Sequence, residues 1–165
     1  MLRVSAVQEV TDELITAVHR LLPQLSASAR LPSGAEIDQI VTSQTTTLLV
    51  ARDDDLGGVD GDDEEGWTAE DETADGRIVG MLTLVTFRLP SGVRAWIEDV
   101  VVDSAARGRG AGEALTQAAL EIASARGART AELTSRPSRQ AANHLYQKMG
   151  FQRRESNLYR FELGG

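Results

Sequence analysis

The chain has no cysteine among its 165 residues. That excludes a disulfide framework, a thiol nucleophile and cysteine-ligated zinc. Its two histidines, His19 and His144, are far apart in sequence, too few and too separated for a catalytic zinc, so no metal is expected. Aromatic residues are only 4% of the chain, the basic residues are scattered and no nucleic-acid motif is present. A nucleic-acid partner is therefore not expected. No apolar run is long enough to span a bilayer, and Met1 to Glu9 lack the apolar core of a signal peptide. The expectation is a cytoplasmic protein that does not associate with membranes. Two phosphate-binding strings are also missing. There is no Gly-x-x-x-x-Gly-Lys-Ser/Thr, and the third glycine of Gly-x-Gly-x-x-Gly is absent from Gly108 or Gly110 onward.

What charge there is lies unevenly. The net charge is −8, yet residues 53–75 carry 12 of the 25 acids and no Lys or Arg. Elsewhere the 17 basic residues outnumber the acids, which suits an anionic ligand. The acidic stretch is too hydrophilic to pack a core and is expected to be a mobile loop at residues 53–76 between two paired strands. Asp53, Asp55, Gly58 and Glu64 match four positions of a calcium loop, but Gly57 falls where a ligand should be and flanking helices are missing. A solvated loop is the expectation. Trp67 within it is a candidate docking aromatic, and the loop as a whole is placed near an entrance for cationic molecules.

Hydrophobic periodicity divides the rest into one α/β domain, residues 1–165. A short strand over residues 2–8 is followed by an amphipathic helix opened by Thr11, with Leu14, Ile15, Val18, Leu21, Leu22 and Leu25 on one face. Ser33-Gly34-Ala35-Glu36 has capping-box spacing and starts a second helix. Strands are expected at 45–52, 77–89 and 93–102, a helix at 110–126 closed by Gly127, a strand at 129–135 and a helix at 138–149 closed by Gly150. Two closing strands are expected at 151–154 and 157–163. The fold class is α/β, a mixed and largely antiparallel sheet flanked by helices.

The most informative stretch is Arg107-Gly108-Arg109-Gly110-Ala111-Gly112, between the strand that ends Val100-Val101-Val102 and the helix beginning at residue 110. Glycines let backbone amides turn inward, and a helix start offers unpaired N–H groups and the positive end of its dipole. Arg107 and Arg109 add charge. Such a turn is a cradle for a phosphate or pyrophosphate, or else a helix-starting turn with no ligand. On the preceding strand Glu98, among the apolar Trp96, Ile97, Val100 and Val101, is a candidate general base. If the strand is regular, Glu98 shares the face of Trp96, Val100 and Val102, Asp99 points to the other, and a bulge would upset that count.

The spacing Arg107-x-x-Gly110-x-Gly112 resembles the acetyl-CoA motif of the GNAT superfamily of N-acetyltransferases. Residues 141–151, with Leu145-Tyr146 and the closing Gly150-Phe151, resemble its second recurrent signature, in the same order along the chain. The detailed resemblance covers about residues 93 to 161; the earlier half agrees in element order alone. It implies a GNAT-like fold and acetyl-CoA as co-substrate, bound by Arg107, Gly108, Arg109, Gly110, Ala111 and Gly112 and by the backbone of Val100, Val101 and Val102. It implies direct attack by a primary amine of a small molecule or a peptide, with Glu98 as base. Tyr146 is then the acid, a phenol whose pKa near 10 suits protonation of a thiolate. The acceptor pocket is shaped, by analogy, by residues 26–33 and 155–158. The family often has Asn seven residues before the tyrosine; here Arg139 stands there, a candidate contact to a CoA phosphate. The alternatives are a non-catalytic acyl-CoA-binding sensor and an interaction module built on the acidic loop. The expected assembly is a monomer or homodimer.

Overall fold

The computed structural model describes residues 1–56 and 76–164. Most of the acidic segment lies outside the described residues, and with it the expectations for the mobile loop, Gly57, Gly58, Glu64 and Trp67. The chain divides into two units, Met1–Thr134 and Ser135–Gly165.

The first unit runs β1 (Leu2–Ala6), α1 (Asp12–Leu25), α2 (Gly34–Val41), β2 (Thr46–Asp53), β3 (Arg77–Leu89), β4 (Gly92–Val102), α3 (Ala111–Ala125) and β5 (Ala131–Leu133), with 3₁₀ turns at Asp54–Leu56 and Ser104–Ala106. The sheet order is β1-β2-β3-β4-β5. The first four strands pair antiparallel and β5 joins β4 in parallel.

Local chemistry sets the helix starts. Thr11 accepts the amide of Leu14 at 3.2 Å, and Asp12 and Glu13 complement the dipole of α1. The Ser33 hydroxyl accepts the Glu36 amide while the Glu36 carboxylate returns to the Ser33 amide at 2.8 Å, the reciprocal box expected from the sequence. Arg30 also grips that carboxylate, whose pKa is held down at about 2, chiefly by Arg30 and then by Ser33.

The two sheet faces carry separate layers. On one, Leu14, Ala17, Val18 and Leu21 of α1 and Ile37 of α2 pack on Leu48, Val50, Ile78, Met81 and Val101. Their spacing along α1 is that of one helix face. On the other lies α3. A Cβ added at Gly80 would sit 3.2 Å from Cδ1 of Leu115 and 3.1 Å from the Val101 carbonyl, so α3 approaches β3 through the side chain this glycine lacks. Leu21, Leu82 and Leu115 are completely buried. Each contributes roughly 1.5–3 kcal/mol relative to exposure.

The β3–β4 ladder is interrupted. Thr83 pairs with Glu98 and Met81 with Val101, so Leu82 alone faces both Asp99 and Val100. This two-against-one bulge reverses the faces of β4. Below it Ile97 pairs with Leu84 on the α3 side; above it Val101 pairs with Met81 in the α1–α2 core. Glu98 therefore shares a face with Trp96 but not with Val102, which pairs with Gly80.

The second unit contains α4 (Gln140–Lys148). It closes with the Gly150 amide on the Gln147 carbonyl and the Phe151 amide on the Tyr146 carbonyl, both about 3 Å. The closing strands expected at 151–154 and 157–163 do not form. The alternation of Tyr159, Phe161 and Leu163 with charged residues is that of a strand, but a ladder requires a partner strand. Among the described residues no strand pairs with this segment, and Leu158, Tyr159, Phe161 and Leu163 are exposed.

Candidate active site

β5 pairs with β4 only at Ala95, Ile97 and Trp96 between them. Beyond Ile97, β4 continues from Glu98 to Val102 with no strand on its outer side among the described residues. That leaves backbone N–H and C=O groups facing outward beside the bulge. Val101 is buried in the α1–α2 core and Val102 packs over Gly80, so these valines are held by their side chains while one backbone edge stays free.

Asp103 fixes the way out of the strand. It is buried, and its carboxylate accepts the Ala105 amide at 3.1 Å and the Arg20 Nε at 3.0 Å, with Arg77 at 3.6 Å. Arg20 also donates to the Ile78 carbonyl. Burial alone would push the Asp103 pKa up, but the Ala105 amide and the two guanidinium groups outweigh it and hold it below the ordinary value. Sequence reasoning did not single out Asp103; the signal was an Asp at a strand end just before the turn, an N-capping residue.

The turn that follows has the geometry of an anion cradle. Gly108 and Gly110 have φ of +77° and +88°, the left-handed region that side chains disfavour. Gly110 is the N-cap of α3 with no side-chain cap, so the amides of Ala111 and Gly112 have no helix carbonyl to bond. Arg107 is exposed and has no ion pair among the described residues. Arg109 is differently placed: its Nε meets Asp53 at 2.7 Å and its NH2 meets Asp55 at 3.3 Å. Its guanidinium anchors the turn to the end of β2. The residues present fit an anionic pyrophosphate through the backbone amides and Arg107.

The two acids of β4 differ sharply. Glu98 accepts the indole N–H of Trp96 at 2.5 Å. Asp99 is the only non-glycine residue with positive φ among the described residues, at +51°. It is exposed, yet protein around its carboxyl removes enough water to raise its pKa. It has no hydrogen bond or ion pair among the described residues.

In the second unit Tyr146 is buried and its ring meets Phe151 edge-on, centroids 5.6 Å apart. Burial raises its pKa, with Arg139 opposing, so the phenol keeps its proton. Arg139 is the N-cap of α4 and exposed. Asn143 donates to the Arg136 carbonyl at 2.9 Å, a bond that shapes the turn into the helix. His144 is exposed, and His19 bonds the Pro32 carbonyl at 2.7 Å, tying α1 to the loop before α2.

Residues 35–151 match the Acetyltransferase (GNAT) family. No curated protein shows significant sequence similarity. Among solved structures, an acetyltransferase from Trypanosoma brucei is 25% identical, with 99% of this chain and 100% of that one covered and a TM-score of 0.69. An aminoglycoside acetyltransferase from an uncultured soil metagenomic sample, in complex with trehalose, shares the fold at 15% identity and a TM-score of 0.74, covering 99% and 97%. Glucosamine-6-phosphate N-acetyltransferase from Arabidopsis thaliana does so at 16% identity and a TM-score of 0.67, covering 98% of each. With the strand, turn and helix described above inside the matched span, the chain belongs to the GNAT family of acetyltransferases.

Proposed function

We propose that the protein is an acetyl-CoA-dependent N-acetyltransferase acting on a primary amine of a small molecule or a peptide. The observation that carries this reading is the open edge of β4. Its free backbone from Glu98 to Val102 leads directly into a glycine turn with an uncapped helix start. An extended amide-bearing arm can pair along such an edge as an added strand would, while its phosphates meet the helix amides and Arg107. Acetyl-CoA supplies the thioester when bound. The chain supplies position, an amide on β4 to polarise the thioester carbonyl, a carboxylate at the bulge to receive the amine's proton, and Tyr146 as donor to the leaving sulfur.

The neighbours that acetylate aminoglycosides or glucosamine-6-phosphate by name support a small-molecule acceptor as the first class to test. Release of free thiol from acetyl-CoA should depend on added amine. Tight acetyl-CoA binding without turnover by any amine would favour an acyl-CoA sensor instead. No binding at all would overturn the proposal.

A further inference from the structure

Resting on that transferase reading, we propose that Asp99, not Glu98, is the group that takes the proton from the attacking amine. Three independent features of Asp99 converge. It holds a left-handed backbone at the centre of the bulge, a conformation that residues with a side chain adopt rarely. It lies within the stretch of β4, Glu98 to Val102, that no outer strand covers among the described residues. And its carboxyl, although exposed, has no hydrogen bond or ion pair among the described residues, and the protein around it raises its pKa. A left-handed carboxylate with no partner among the described residues gains little from folding, and such features persist where the chemistry uses them.

The surroundings favour this carboxyl as the proton acceptor. On β3, opposite the bulge, stand Met81, Leu82 and Thr83, none of them titratable. The neighbouring acid in the chain, Glu98, is engaged by the Trp96 indole. Desolvation is what raises the Asp99 pKa, with no cation to offset it. A carboxylate moved toward neutral pH is a better proton acceptor for an amine than one in the ordinary range.

The step balances as follows. An ammonium acceptor gives up one proton to become the free amine. Its nitrogen then forms a C–N bond to the thioester carbonyl carbon as a second proton passes to the Asp99 carboxylate. The C–S bond breaks and the sulfur leaves as the thiol after receiving a proton. The products are the N-acetyl amine, the free thiol and one proton released to solvent.

The experiment compares wild type with Asp99→Asn, Asp99→Gly and Glu98→Gln. It measures acetyl-CoA affinity by calorimetry, kcat and KM for an amine that the wild type turns over, and the pH dependence of kcat. Asn is isosteric and tolerates the left-handed region. Gly relieves the strain altogether. Asp99→Asn and Asp99→Gly should both lower kcat roughly 100- to 1000-fold. Acetyl-CoA affinity should stay within a few-fold, and the acid limb of the wild-type pH profile should vanish. Asp99→Gly should melt no lower than wild type while remaining inactive. Glu98→Gln should leave the acid limb of the pH profile in place. Retained turnover in either Asp99 variant would overturn the assignment alone, as would an acid limb abolished by Glu98→Gln. Failure of the wild type to bind acetyl-CoA would instead overturn the transferase reading on which it rests.

Discussion

Arg109 reaches back 56 positions to Asp53, placing its Nε 2.7 Å from a carboxylate that is almost completely buried. One residue of the glycine turn is thus tied to the end of β2, where the acidic segment begins. The guanidinium itself is partly exposed, so solvent weakens the pair. Asp53 is also hydrogen-bonded by the Asp55 amide at 3.1 Å. Arg109→Gln should therefore cost about 1–2 kcal/mol, less than removal of one partner from a fully buried pair. Urea unfolding of Arg109→Gln, Asp53→Asn and the double variant should give a coupling energy near that value. A double variant equal to the sum of the two would show that the pair contributes nothing.

Acid should find this part of the molecule first. Asp53 and Asp103 are both buried, which alone would raise their pKa values. Hydrogen bonds and guanidinium partners reverse that, and both lie below their ordinary values. A carboxylate lowered in the folded state stabilises it fully above the unfolded pKa near 3.9, and that stability disappears as pH falls through the folded value. Stability should thus hold from neutral pH to about pH 5 and then fall. Asp103→Asn should be less stable at neutral pH by about 1–3 kcal/mol and show a shallower decline in acid. Denaturant midpoints across a pH series test both the sign and the slope.

The glycine turn predicts a division between charge and backbone. Arg107→Ala removes a cation that has no ion pair among the described residues and should weaken acetyl-CoA binding roughly 5- to 10-fold, less at high salt. Gly110→Ala forces a side chain into φ of +88° at the start of α3. It should cost about 1 kcal/mol or more in stability and weaken binding at every salt concentration. Calorimetry at two ionic strengths separates the two.

Tyr146→Phe keeps the ring that meets Phe151 and removes only the hydroxyl. Melting should change by no more than a few degrees. If the phenol is the donor to the leaving sulfur, kcat should fall roughly 100-fold while acetyl-CoA affinity holds. A normal kcat would remove Tyr146 from the chemistry.

What could be read from the sequence was local. The Ser33–Glu36 box, the strand–turn–helix around Gly110 and the glycine after α3 each depend on residues a few positions apart. The bulge was not legible. Trp96 to Val102 suits a regular strand throughout, and the slip appears only when β3 supplies one residue against two. The face of Glu98 could not be counted without it. Arg109 read as a cation for phosphate because it stands among the glycines of the turn; the acids it pairs with lie more than 50 positions away. Residues 157–163 carry a strand's alternation, but pairing depends on a neighbour the segment cannot encode by itself.

The doubled step at Asp99 and Val100 also acts as a frameshift in space. Deleting either residue would leave one residue opposite Leu82 and an unbroken ladder, with Glu98 still on Thr83 and Val101 still on Met81; losing a residue elsewhere in β4 would instead turn part of the strand over and take Val101 or Ile97 off its core face. β3 carries its own irregularity against β2, where Val79 falls between the partners of Ala51 and Arg52. The sheet is thus counted differently on its two sides of β3. Insertions and deletions across the chain's descendants should be tolerated beyond Leu89, in the hairpin, and purged in the regular stretches of β3 and β4 on either side of these two irregularities.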